Sequence, residues 1–150
     1  MTELKEKLRA DLTAAMKGRD ELVTATLRMA LTAVGNEEVA GKQARELSDA
    51  EVVQVLTREA KKRREAAEAF AGGGRPEQAE REKAEGEVLA RYLPAQLTDE
   101  ELSALVAQAI AETGAEGPKG MGLVMKALNP KVAGRAEGGR VAAAVKAALS

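Results

Sequence analysis

Apolar side chains recur at helical spacing along nearly the whole chain. Leu4, Leu8, Leu12 and Met16, with Ala15 beside the last, repeat every four residues and mark one face of a first helix. Gly18 is placed to end it. Asp20 can cap a second helix whose apolar positions are Val23, Leu27, Ala30, Leu31 and Val34. The period is lost over residues 35–47, which read as a connecting loop. Ser48-Asp-Ala-Glu51 is a capping box, and a long helix follows with Val52, Val53, Leu56, Ala60, Ala67 and Phe70 inward. The glycines at 72–74 break that helix, and Pro76 suits the first turn of the next. Its candidate inner positions are Ala79, Leu89 and Leu93, and Pro94 disfavours a helical Leu93. A second capping box, Thr98 to Glu101, opens a helix with Leu102, Leu105, Val106, Ala109 and Ile110 on one face and Gly114 at its end. Two short helices finish the chain. One carries Met121, Val124, Met125 and Leu128 before Asn129-Pro130, and the other carries Val141, Val145 and Leu149.

No stretch alternates as a strand does, so the expected fold is all-α. Residues 1–94 should form an N-terminal bundle of about four helices, two of them long. Residues 95–150 should form a small C-terminal domain of three. Composition agrees with close-packed helices: Phe70 and Tyr92 are the only aromatic residues, so the core must be built from Leu, Val, Met and Ala.

Cysteine and histidine are both absent, which removes thiolate metal sites, cysteine nucleophiles and the commonest general base. The first residues, MTELKEKLRADL, hold no signal-peptide core, and no uncharged run approaches the ~20 residues of a spanning helix. The expectation is a cytoplasmic, soluble protein without a membrane partner. Glu80, Glu82, Glu85 and Glu87 are interspersed with basic residues in the pattern of surface pairing. No catalytic residue, metal ligand or cofactor motif emerges, and the chain is read as non-catalytic.

Charge is unevenly spread. Residues 1–117 hold 17 Lys plus Arg against 23 Asp plus Glu, whereas residues 118–150 hold 6 against 1, Glu137. Such a basic end on an acidic body suggests a polyanionic partner. The candidate binding side chains are Lys119, Lys126, Lys131, Arg135 and Arg140. Gly120, Gly122, Gly134, Gly138 and Gly139 are interleaved with them, where backbone N–H groups could approach phosphate. The alternative is that these glycines serve tight turns and close packing between short helices. No GKS or GKT follows, so the segment is not a Walker loop. A second basic cluster, Lys61-Lys-Arg-Arg64, lies among glutamates and reads as a solvated helix face.

Three stretches carry a resemblance: TATLRMALTAV from Thr24, RYLPAQLTDEEL from Arg91, and GLVMKALNPKVAGRAEGGRV from Gly122. Together the chain resembles the YqeY-like family, which shares its domain with the tail of GatB, a component of the glutamine-dependent aspartyl/glutamyl-tRNA amidotransferase. The resemblance covers essentially the whole chain. It implies a helical N-terminal part, a small helical C-terminal part, and association with tRNA or another structured RNA. It lends no ligase activity, because the catalytic domain of GatB has no counterpart here, and a carbon–nitrogen ligase label would come by association only. The competing reading is a protein-interaction adaptor in translation, with Met121 and Met125 lining a groove.

Overall fold

The computed structural model describes residues 3–150. Among these residues there are seven α-helices and no strand, so the protein is all-α. The helices are α1 (Glu3–Lys17), α2 (Glu21–Glu38), α3 (Asp49–Gly72), α4 (Pro76–Ala90), α5 (Asp99–Thr113), α6 (Met121–Val132) and α7 (Gly138–Leu149), with one 3₁₀ turn at Pro118–Gly120. They divide into two compact units that meet in sequence at Leu93 and Pro94.

In the first unit, α1 to α4 enclose a core of Leu8, Leu27, Ala30, Val34, Leu47, Val52, Val55, Leu56, Val88 and Leu89. The start of α3 is held by the expected capping box: Glu51 N–H donates to Ser48 Oγ, and Ser48 N–H donates to Glu51 Oε1. Arg45 also grips Glu51 with two hydrogen bonds. Those bonds, ahead of the one from the Ser48 backbone, hold the Glu51 carboxyl down to about 2. Its folded-state value is depressed, so its contribution to stability is present above 4.5, the ordinary value, and lost as pH falls toward about 2.

A buried charge joins α1 to α2. Lys5 Nζ donates to both oxygens of Glu38, at 2.6 and 2.8 Å, and the Leu47 N–H adds a third bond to Oε2 at 3.2 Å. Hydrogen bonding from Lys5 is the main cause that holds Glu38 below the usual carboxylate range, against the opposing effect of burial. Tyr92 packs against the same core and donates its hydroxyl to Asp11 at 2.6 Å, with Lys7 Nζ 5.4 Å from the ring centroid. Burial first, and the Asp11 carboxylate second, raise the Tyr92 hydroxyl above its ordinary value.

Several sequence expectations need correction. Met16 is 50 % exposed, while Lys5, Leu8 and Ala15 are buried. A strict four-residue repeat winds ~40° around a helix at each step, so its fourth member has left the core face. Helix α1 ends with Arg19, not Gly18, in the left-handed conformation, at φ +56°. Helix α2 continues to Glu38, four residues past Val34, which places the Glu38 carboxylate next to Lys5. On α3 the inward face includes Val55 and Glu59 rather than Val53. Helix α6 runs through Pro130 to Val132, because Leu128 and Val132 are both buried and extend its apolar stripe. Pro130 lacks an N–H, but it lies in an exposed last turn where water can satisfy the freed carbonyl.

In the second unit, α5, α6 and α7 enclose Leu97, Leu102, Val106, Ala109, Val124, Leu128, Val132, Val141, Val145 and Leu149. The Thr98–Glu101 capping box forms as expected, and Gly114 ends α5 in the left-handed region at φ +68°. The segment from Pro94 to Thr98 is not a free linker. Leu97 is buried in this core, and its N–H donates to the Arg135 carbonyl at 2.8 Å. Gln96 Nε2 donates to the Gly134 carbonyl at 2.9 Å. The segment is a strap sewn onto the turn between α6 and α7.

Candidate nucleic-acid interface

All five candidate basic side chains lie in the second unit, but they divide into two groups. Lys119 in the 3₁₀ turn and Lys126 and Lys131 on α6 are exposed. Lys131 Nζ lies 3.6 Å from Glu112 Oε2 in a solvent-facing pair, an interaction worth ~0–1 kcal/mol that a phosphate can displace.

Arg135 and Arg140 have other work. Arg135 Nε donates to the Ala95 carbonyl at 3.3 Å. Arg140 donates to the Leu97 carbonyl at 2.7 Å and to Asp99 Oδ1 at 2.8 Å. Both guanidinium groups therefore fasten the strap, and Arg140 ties it to the first residue of α5. We expect Arg140→Ala to destabilise the second unit by about 1–2 kcal/mol in urea unfolding, since a charge-assisted bond and its geometry are lost. A change below about 0.3 kcal/mol would show that the clip carries no weight.

The glycines divide in the same way. A Cβ on Gly120 would sit 2.6 Å from the Ala115 Cβ and 3.3 Å from its Cα, so that glycine is required by packing. Gly134 has φ +74°, a left-handed turn between α6 and α7 that a side chain would strain. Gly122 and Gly138 are different: both are exposed, and a Cβ on either would meet nothing within 4 Å. On Gly139 it would meet only Glu137 Oε1, at 3.8 Å. Helix α7 begins at Gly138 without a side-chain cap, leaving its first N–H groups beside exposed glycines. Packing explains Gly120 and backbone conformation explains Gly134, which leaves three of the five candidate glycines at helix starts.

The basic run on α3 is engaged within the first unit. Lys61 pairs with Glu65, Lys62 with Glu59, and Arg63 with Glu82 of α4. Arg64 is also partnered. This is the solvated, charge-laced face expected from its flanking glutamates.

One groove in the first unit holds paired charges. The groove between α2 and α3, about 510 Å³, is lined by Met29, Ala33 and Val55 with the Glu37–Arg58 and Glu59–Lys62 pairs at its rim. Among the described residues, no group of three or more Asp or Glu side chains is arranged to hold a metal ion. Among them, too, no helix is long and apolar enough to cross a membrane. The clip formed by Arg135 and Arg140 had no local signal in the sequence, since their partners lie about forty residues away.

No curated protein matches the chain. The family described as Yqey-like protein matches residues 5–149. With nearly its full length inside that match, the chain belongs to the YqeY-like family.

Proposed function

We propose that the protein is a non-catalytic module that binds the phosphate backbone of tRNA or another structured RNA through its C-terminal unit. One observation carries the reading. Within the second unit, residues 118–150 hold 6 basic side chains against 1 carboxylate, while the unit's other acidic residues, Asp99, Glu100, Glu101, Glu112 and Glu116, lie on α5 and the loop after it, and Lys119, Lys126 and Lys131 stand exposed on the basic part. The exposed glycines at 122, 138 and 139 support close approach of a backbone anion. Exposed aromatic side chains, which stack unpaired bases, are missing from this unit, so recognition would be of shape and backbone. Arg135 and Arg140 take a structural role in this reading and the lysines take the electrostatic one.

Fluorescence anisotropy of labelled bulk tRNA, titrated across salt, tests it. Three phosphate contacts on a duplex-like surface give a log–log salt slope of about -2.7. The Lys119→Ala/Lys126→Ala/Lys131→Ala variant should lose saturable binding and keep the wild-type melting profile. Saturable binding that survives with an unchanged slope would remove these lysines from the interface. No binding even at low salt would remove the RNA.

A further inference from the structure

The turn between α1 and α2 holds a feature that the RNA reading does not use. Three backbone bonds close it: Gly18 N–H to the Ala14 carbonyl, Arg19 N–H to Met16, and Asp20 N–H to Ala15. That pattern requires a left-handed residue at Arg19, a position where glycine is usual. An arginine there is strained, and strain of this kind points toward a use for the side chain. Gly18 has no such constraint, since its added Cβ would meet only the Ala14 and Ala15 carbonyls, the nearer at 3.4 Å.

Arg19 opens onto a shallow depression of about 460 Å³ that it shares with Met16, Ala25 and Arg28. Met16 is 50 % exposed. Arg28 donates toward its sulfur at 3.8 Å, a weak acceptor. Among the described residues, neither Arg19 nor Arg28 has a carboxylate partner, while most basic side chains of α3 do. The two acids at the rim are committed elsewhere. Asp20 caps α2 through the Val23 N–H, and Glu21 takes both terminal nitrogens of Arg81.

We propose that this depression is a docking surface for an acidic peptide segment of a partner protein. Its carboxylates would be taken by Arg19 and Arg28, and an apolar side chain between them would rest on Met16 and Ala25. Two uncommitted guanidinium groups flanking an adaptable thioether match that chemistry. A continuous phosphate backbone fits less well, because the exposed Met16 has no role toward it. The surface lies in the first unit, so its fate is separate from that of RNA binding in the second.

The test titrates the isotope-labelled full chain with a capped peptide of four Glu-Glu-Leu repeats, followed by amide NMR shifts. Saturable shifts should centre on Met16 to Arg28. Arg28→Gln should weaken affinity about ten-fold. Arg19→Gly is the decisive variant. It relieves the backbone and removes the guanidinium together, so it should raise Tm by about 2 °C while weakening peptide affinity about ten-fold. A merely structural Arg19 would give the first effect without the second, and that result overturns the proposal. So would shifts confined to residues 118–150, equal occupancy of the depression by a uridine oligonucleotide, or no saturation at millimolar peptide.

Discussion

Replacing Glu38 by alanine is expected to lower the stability of the first unit by about 3 kcal/mol, the cost of leaving a buried charge without its partner. The two side chains are only 11 % and 14 % exposed, so solvent screens the pair little. The change removes both Lys5 bonds and the bond from Leu47, a residue whose side chain is fully buried. Lys5 would then have to swing away from the α1–α2 contact or stay there without its carboxylate partner. The double variant Lys5→Met/Glu38→Leu should recover most of the loss, because an apolar pair of similar size needs no desolvation. Acid should mimic the single variant. The folded-state value of Glu38 is depressed, so its contribution is complete above 4.5 and declines as pH falls through the lowered value. Tyr92 is the only tyrosine and lies in this unit, so its fluorescence during urea unfolding reports the relevant transition. A Glu38→Ala midpoint indistinguishable from wild type would show the pair to be dispensable.

Gly120→Val should be comparably damaging to the second unit, by about 2–3 kcal/mol. The clash is with the Cβ of Ala115, crowded further by its Cα, and not with the far end of a flexible side chain, so it cannot be relieved by a rotamer change. A domain of about 60 residues has only ~3–9 kcal/mol to lose. Helical circular dichroism against urea should show an early transition that is missing from the wild type. Gly122→Ala, where a Cβ meets open space, is the control and should not destabilise. If both variants unfold alike, packing is not what selects glycine at 120.

Much of the fold was legible because its signals are local. The capping residues Asp20, Ser48 and Thr98 each needed only the next three positions to be recognised, and each caps as read. The stripe of Val141, Val145 and Leu149 is buried throughout. Where the reading failed, a tertiary contact outweighed the local preference. Asn36 to Glu38 look like loop residues until Lys5 arrives from α1, and Pro130 looks like a stop until Val132 is seen to complete a core. Arg19 takes the left-handed position beside a glycine that was free to take it. The candidate site was legible as a charge imbalance but not as a geometry. Nothing near Arg135 or Arg140 shows that they reach the carbonyls of Ala95 and Leu97. Nor does anything near Gly120 show that Ala115 closes over it.

The strap changes what counts as a transplantable piece of this protein. A cut at the start of α5 would deliver every helix of the second unit and still leave Leu97 out of its core and two arginines without their carbonyl partners. The smallest heritable block therefore begins at Pro94, the residue before the Ala95 carbonyl that Arg135 holds. Recombination that carried this block into another protein would have to respect that boundary, with the apparent linker of residues 94–98 included.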